Sequence, residues 1–209
     1  MKIEFDSINR PTKIVCVGRN YVEHAKELGN EVPKAPLLFL KAPSALIRQD
    51  EAIVIPPQSS QIEHEGELAV IIGRTCKRLH DDNDPFEYVL GYTCLNDVTA
   101  RDIQRKDVQF TRGKSFDTFC PIGPFIETDF DPENGWVTTR VNGSIRQKDK
   151  FSQMVFPVDF LIRYISNMMT LMPGDVVATG TPAGVGKIEA GDVCEVEIDG
   201  IGILRNPVQ

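Results

Sequence analysis

The apolar residues of this 209-residue chain come in short runs closed by turn-forming residues, and this punctuation restricts the fold more than any other feature. "KIVCVG", "PLLFLK", "AIVIP", "ELAVIIG", "YVLGYTCL", "DVVATGTP" and "DVCEVEI" are each bounded by Gly, Pro, Asn or Asp, so they are expected as strands. Two of the breaks are specific. Asn142-Gly143 in "RVNGSIRQ" and Asp199-Gly200 in "EVEIDGIGILR" are dipeptides of two-residue turns with positive φ, which join antiparallel neighbours. The sheet is therefore expected to be at least partly antiparallel. Helical patterns are few: "NYVEHAKELG" closing at Gly29, "DVTARDIQRKD", and "PVDFLIRYISNMM" with Pro157 as its first helical residue. The expectation is an α+β chain with sheet predominating, forming a single domain over residues 1–209. "DPENG", residues 131–135, is expected as a surface loop.

Charge and cysteine usage narrow the function classes. Lys plus Arg is 23 and Asp plus Glu is 30, a net charge of −7 with no basic block, so no nucleic-acid partner is expected. Cys16, Cys76, Cys94, Cys120 and Cys194 are widely spaced with no CxxC pair, and "MKIEFDSINRPTK" has no apolar signal core. Reduced thiols in a cytoplasmic protein are expected. No apolar run approaches membrane-spanning length, so no membrane partner is expected either.

The chemistry concentrates first in "QIEHEGELAV", where Glu63, Glu65 and Glu67 fall two apart before an apolar run. In one extended strand the three carboxylates share a face, and His64 lies on the opposite one. A solvated strand face is the commoner meaning of such acids. Here the strand continues so apolar that it must soon be buried, and the like charges repel. A divalent cation would turn that repulsion into binding, and carboxylate oxygens favour Mg²⁺, Mn²⁺ or Ca²⁺ over zinc. "HEGE" also lacks the second His of the HExxH zinc motif.

Further groups follow. If "DVTARDIQRKD" is one helix, Asp97, Arg101 and Gln104 project from one face, although Asp97 could equally serve as a helix cap. On "NYVEHAKELG", His24 and Glu27 stand three apart, so the carboxylate can orient the imidazole and support its protonated form. That makes a general base, against the plainer reading of a helix surface with Glu23, Lys26 and Glu27 in ordinary salt pairing. Tyr21, Ala25 and Leu28 form an apolar stripe that would cover a pocket as a lid. "TGTPAGVGK", residues 179–187, fails the Walker A and GxGxxG spacings and reads as a glycine-rich turn between strands. Thr181 and the amides there could hold a carboxylate. Lys114 in "RGKSFD" is ambiguous, since most lysines are surface residues.

In order along the chain, "CVGRNYVEHAKEL", "PLLFLK", "HEGELAVIIG", "NDVTARDIQ", "GKSFD", "CPIGPFI", "VNGSIRQ" and "GDVVATGTPAGVG" resemble the fumarylacetoacetate hydrolase family from about Ile14 to the C-terminus. The resemblance implies a mixed β-sandwich or β-roll with few short helices, a homodimer, and a divalent ion, commonly Mg²⁺, held by Glu65, Glu67 and Asp97. Glu63 matches no family ligand. It implies a small 2-oxo acid as substrate, with His24 oriented by Glu27 to activate water, and Arg19, Arg101, Gln104, Thr181 and Lys114 positioning substrate and neutralising oxyanions. Asn20 and Tyr21 stand where an acidic fourth ligand might be sought. The chain looks like the short acylpyruvate hydrolase branch, so carbon–carbon cleavage of an acetylpyruvate- or fumarylpyruvate-like 2,4-dioxo acid is the first expectation. Relatives on the same scaffold decarboxylate oxaloacetate or isomerise unsaturated 2-oxo diacids of the 2-hydroxyhepta-2,4-diene-1,7-dioate type. From another class, a non-catalytic Ca²⁺-stabilised binding module would explain the acids but not the basic groups around them.

Overall fold

The structure, a computed structural model, describes residues 1–209 except 6, 7 and 9. Three sheets dominate, and the helices are short. The largest sheet runs, in spatial order, Lys2–Glu4, Cys120–Glu127, Val89–Asn96, Gly66–Ile72, Val176–Ala178, Ile14–Gly18 and Leu37–Lys41, with Leu46–Ile47 pairing off Cys120–Glu127. Two of its pairings are parallel, Val176–Ala178 with Ile14–Gly18 and Leu46–Ile47 with Cys120–Glu127; the other pairings are antiparallel. The second sheet, Ser144–Lys150, Trp136–Val141, Val193–Ile198 and Gly202–Pro207, is antiparallel throughout. A small third sheet joins Gly186–Lys187, Ile62–His64 and Thr99–Ala100. The expected α+β class with sheet predominating is the class observed.

The strand Gly66–Ile72 shows why the sheets stack this way. Leu68, Val70 and Ile72 join a core with Val137, Val196, Ile198 and Leu204 of the second sheet, while Ala69 and Ile71 join a different core with Cys16, Ile122 and Val176. A continuous apolar run buried on both faces must be central in its sheet, and the strand is buried along its whole length. The helix Val158–Ser166 closes the first core, with Val158, Leu161, Ile162 and Ile165 inward at helical spacing.

Several local expectations are corrected. "AIVIP" forms no strand; Ile53 makes one isolated bridge to Val208. The Asn142-Gly143 turn has two residues, both with positive φ, but Ile198 pairs with Gly202, so the Asp199-Gly200 connection includes Ile201. Pro157 is the cap of its helix and not the first helical residue, consistent with a side chain that fixes φ but has no N–H to give. "NYVEHAKELG" is helical over Val22–Glu27 alone, with Tyr21 extended at its N-cap. "DVTARDIQRKD" splits into a strand, Thr99–Ala100, and a single turn of helix, Arg101–Gln104. All five cysteines are free and buried. No helix is long and apolar enough to cross a membrane among the described residues.

Asp175 ties two parallel neighbours together. Its buried carboxylate accepts from Thr12 N at 2.9 Å, Thr12 Oγ1 at 2.7 Å, Lys13 N at 3.1 Å and Met172 N at 2.8 Å, and it pairs with Lys13 Nζ. Burial opposes its ionisation, yet the Lys13 ammonium and the N–H donors prevail and hold its pKa below the usual 3.8. Asp175→Asn is expected to cost about 2–4 kcal/mol in urea unfolding, because it leaves donors buried without a charged acceptor. The advantage of the wild type is present in full above the unfolded-chain value near 3.8 and is lost as pH falls below it, because only there does the unfolded chain bind the extra proton. A difference between the two proteins that stays constant down to pH 2 would contradict this.

Candidate metal and active site

The alternation of the central strand continues upstream through its break. Glu65 lies between the strands Ile62–His64 and Gly66–Ile72, which belong to different sheets, so the three acids do not share one uninterrupted strand as expected. The phase survives nonetheless. Gly66 packs against Thr139 and Val196 of the second sheet and His64 meets Gln147 there at 3.1 Å, while Glu65 and Glu67 line a cavity on the other side and Glu63 meets Arg101. His64 is thus on the opposite face, as the spacing predicts.

Glu65, Glu67 and Asp97 converge in that cavity, each offering an oxygen within 4.8 Å of the others. Asp97 follows directly on the strand Val89–Asn96 and is not a helical residue, so its meeting with Arg101 and Gln104 does not come from helix periodicity. Backbone pairing brings the ligands together: Asp97 N donates to Glu65 O at 2.8 Å, and Glu65 N donates to Asn96 Oδ1 at 2.9 Å.

Cations surround the acids. Lys114 Nζ donates to Glu65 Oε2 at 2.7 Å and to Asp97 Oδ2 at 2.6 Å. Lys41 Nζ donates to Asp97 Oδ1 at 2.6 Å. The Arg101 guanidinium bonds Glu65, Glu63 at 2.7 Å and Gln104 Oε1 at 2.5 Å. Glu63 is thereby the partner of Arg101 and stands outside the carboxylate cluster. Lys114 is fully buried and is no surface lysine. Burial alone would lower its pKa, but the Asp97 and Glu65 carboxylates raise it and keep the ammonium. Burial likewise opposes ionisation of Glu65, yet the Lys114 and Arg101 charges outweigh it and hold its pKa well below the usual range.

Glu67 is different. Its carboxylate has a single donor among the described residues, the Gly180 N–H at 2.8 Å, and no cation partner. Burial first, then the Asp97 and Glu65 charges, push its pKa well above 4.5. A buried carboxylate with two acids beside it and no cation of its own is what a divalent ion would relieve. The donor set is all oxygen, which fits Mg²⁺, Mn²⁺ or Ca²⁺ and not a thiolate- or imidazole-seeking metal.

The cavity measures about 340 Å³. Its walls carry His24 from the first helix and Leu28 at that helix's C-cap, Phe39 and Phe110 in edge-to-face contact, and Arg19 and Arg105. Arg19 adopts positive φ. Gln104, Arg101, Lys114 and Thr181 also line it, so the expected basic and amide groups meet in one place. The first helix borders the cavity through His24 and its C-cap Leu28; of the expected apolar stripe only Leu28 lines it, while Tyr21 and Ala25 are buried and do not. The base of the helix is clamped by Asn20, whose side chain donates to Thr179 O at 2.8 Å and Phe156 O at 3.0 Å and accepts from Phe156 N at 2.9 Å. Asn20 is therefore a structural clamp and no ligand. Glu23 and Lys26 pair at 2.7 Å on the exposed side.

Two expected roles are revised. His24 Nδ1 faces Glu27 Oε2 at 3.4 Å, and Gly184 N holds Glu27 at 3.1 Å. Burial of the ring outweighs Glu65 and the Glu27 contact, so the pKa of His24 is lowered from 6.5, which favours the neutral imidazole over the expected protonated form. The Thr181 hydroxyl donates to Gly66 O at 2.9 Å and accepts from Gln147 Nε2 at 2.7 Å, so its proton is unavailable to a carboxylate. Sequence reasoning missed Lys41, Asn96 and Gln147. A lysine ending an apolar strand was the signal for Lys41; nothing local marked the other two.

Comparison with known proteins agrees with this architecture. The family model described as fumarylacetoacetate (FAA) hydrolase C-terminal matches residues 13–209. An uncharacterised protein of Methanocaldococcus jannaschii is 53% identical over 208 residues, covering 98% of this chain and 87% of the relative. A mitochondrial oxaloacetate tautomerase of Xenopus laevis is 43% identical over 213 residues, covering 96% of this chain and 66% of the relative. Among solved structures, 5-carboxymethyl-2-hydroxymuconate delta-isomerase from Mycobacterium smegmatis superposes with a TM-score of 0.89 at 47% identity, covering 95% of this chain and 79% of that one. The chain belongs to the fumarylacetoacetate hydrolase family of enzymes.

Proposed function

We propose that the chain is a divalent-cation-dependent enzyme that moves a proton at the carbon next to the 2-oxo group of a small 2-oxo diacid, with keto–enol tautomerisation of oxaloacetate as the first reading. The observation that carries it is the buried His24, its Nδ1 facing Glu27, on the wall of the cavity in which Glu65, Glu67 and Asp97 converge. Glu65, Glu67 and Asp97 would hold the cation, which when bound acts as a Lewis acid on the 2-oxo end of the substrate. His24 takes the proton from C3 at Nε2, the ring nitrogen that Glu27 does not face. The C–H electron pair becomes the C2–C3 double bond, the C2=O π pair moves onto the oxygen, and the proton held at Nε2 is returned to that oxygen to give the enol and the neutral base. The Lys114 ammonium lies beside the acids and adds positive charge where the enolate oxygen develops. Arg19 and Arg105 on the wall offer charge to the distal carboxylate. The tautomerase and isomerase names of the relatives support this reading.

A second reading, hydrolysis of an acylpyruvate, comes first on sequence grounds. The His24–Glu27–Gly184 chain of contacts favours it, because an oriented base can activate water. Tautomerisation is preferred here because, beside the cation, it needs only a base and no water placed for attack. The test is a panel in Mg²⁺ and Mn²⁺: enol oxaloacetate followed by its ultraviolet absorbance, pyruvate release from acetylpyruvate and fumarylpyruvate, oxaloacetate decarboxylation, and isomerisation of 2-hydroxyhepta-2,4-diene-1,7-dioate. Tautomerisation or isomerisation with the highest kcat/KM is expected. Faster hydrolysis would reverse the order of the two readings, and no metal-dependent turnover of any 2-oxo acid would return the Ca²⁺-stabilised binding module.

A further inference from the structure

Glu65 and Glu67 are joined by one residue, and packing dictates what it is. A Cβ on Gly66 would collide with Thr139 Oγ1 and approach Val196 to 3.3 Å in the second sheet. Close stacking of the two sheets thus places the residue with the greatest backbone freedom between two carboxylates that must keep a set spacing. One neighbouring strand, Val89–Asn96, keeps Gly66 in register with Asn96, but the strand on the other side does not reach it. Val176–Ala178 pairs only as far as Ala69, and Thr179 N reaches Leu68 O at 3.1 Å, so Gly66 would be left with buried backbone groups unpaired on that side.

Side chains take over where the strand ends. Gly66 N donates to Gln147 Oε1 at 3.0 Å, Gln147 Nε2 donates to Thr181 Oγ1 at 2.7 Å, and the Thr181 hydroxyl donates to Gly66 O at 2.9 Å. The three residues close a ring. Its direction follows from the donor and acceptor inventory. Pro182 O, 2.8 Å from Gln147 Nε2, can only accept, and Gly66 N can only donate, so the amide has one orientation. His64 Nδ1, 3.1 Å from Gln147 Oε1, then donates as well and steadies the amide from behind. Gln147 comes from the second sheet, is buried and does not line the cavity.

We propose that Gln147 is a positioning residue: by clamping the Gly66 peptide in this ring it sets the spacing of Glu65 and Glu67 and so the affinity of the site for a divalent cation. The inference rests on the reading that Glu65, Glu67 and Asp97 hold that cation. Residues behind metal ligands typically change metal affinity by about 10- to 100-fold when replaced.

The experiment is calorimetric titration of metal-free protein with Mn²⁺, alongside thermal melting. Gln147→Met keeps the length of the side chain and loses the ring; Thr181→Val opens the same ring from its other side. Each is expected to weaken Mn²⁺ binding by about tenfold or more, and the double variant by no more than the larger single loss, because one ring can be broken once. Ser166→Ala removes a buried hydroxyl bonded to Arg163 O and Leu79 N far from the cavity, and is expected to lower the melting temperature without changing the Mn²⁺ affinity. If Gln147→Met does not fold, Gln147→Glu, which keeps an acceptor for Gly66 N but cannot donate to Thr181, takes its place in the cycle. Wild-type affinity in the single variants, or losses that multiply in the double variant, would overturn the positioning role. A wild-type protein that binds no Mn²⁺ would overturn the metal reading and this inference with it.

Discussion

Glu67→Ala is expected to lower Mg²⁺-dependent turnover by about 10³-fold or more while the fold persists, because a bound cation contributes several kcal/mol to stabilising developing negative charge and each 1.36 kcal/mol is tenfold in rate. Glu65→Ala and Asp97→Ala should act alike on turnover but differ in stability. Among the described residues Glu67 pairs with no cation, and its pKa is already raised by burial and by Asp97 and Glu65. Removing it costs one hydrogen bond from Gly180 N and strands no buried cation, so the metal-free Glu67→Ala protein should lose less melting temperature than Glu65→Ala or Asp97→Ala. Glu65 and Asp97 hold Lys114 at 2.7 and 2.6 Å, and removing either leaves a buried ammonium short of a partner, a change that destabilises. The measurement is turnover against Mg²⁺ concentration together with melting of each metal-free variant. Full activity in any of the three would remove the metal assignment, and a loss of melting temperature in metal-free Glu67→Ala as large as in the other two would show that this carboxylate is a structural group.

His24→Ala is expected to reduce kcat by about 10²- to 10⁴-fold, the range for a positioned general base. The pH dependence has a definite sign. A base works when unprotonated, and burial lowers the pKa of His24 from 6.5, so the wild-type rate should be flat through neutral pH and fall as pH drops through a value below 6.5. The variant should lose that limb along with the rate. Comparing substrates separates the two functional readings. Proton transfer at C3 and water activation both need His24, whereas decarboxylation of oxaloacetate needs chiefly the cation, so decarboxylation should fall least. Equal losses in all reactions would argue that His24 supports the site as a whole. An undiminished rate would place the base elsewhere.

Much of this site was legible in one dimension because a strand has a period of two. That period predicted acids on one side and His64 on the other, and it held even though Glu65 proved to be the junction between two sheets. The apolar run after Glu67 announced a strand that is soon buried, which the structure buries on both faces, and Asn142-Gly143 announced its own hairpin, because φ at both positions must be positive. What failed was the use of helical period over Asp97–Asp107. Asp97, Arg101 and Gln104 do meet, yet Asp97 ends a strand, and the helix begins at Arg101. Convergence produced by backbone pairing looked like convergence produced by a helix face.

The sequence by itself determined the sheet-rich class and the acids Glu63, Glu65 and Glu67 on one side of a strand, since these rest on residue type and period. That Asp97 joins Glu65 and Glu67 while Glu63 stands aside was implied by the family resemblance alone, because no spacing within a strand links Asp97 to them. The tertiary structure decided the balance of charge around them. Lys41 and Lys114 lie 56 and 17 residues from Asp97, and Gln147 lies 81 from Gly66, distances over which no local period operates. Burial decided the protonation states as well: Glu65 stays ionised, and Glu67 and His24 are pushed toward their neutral forms, because removal from water raises the cost of every charge and each group's neighbours then determine which charges remain.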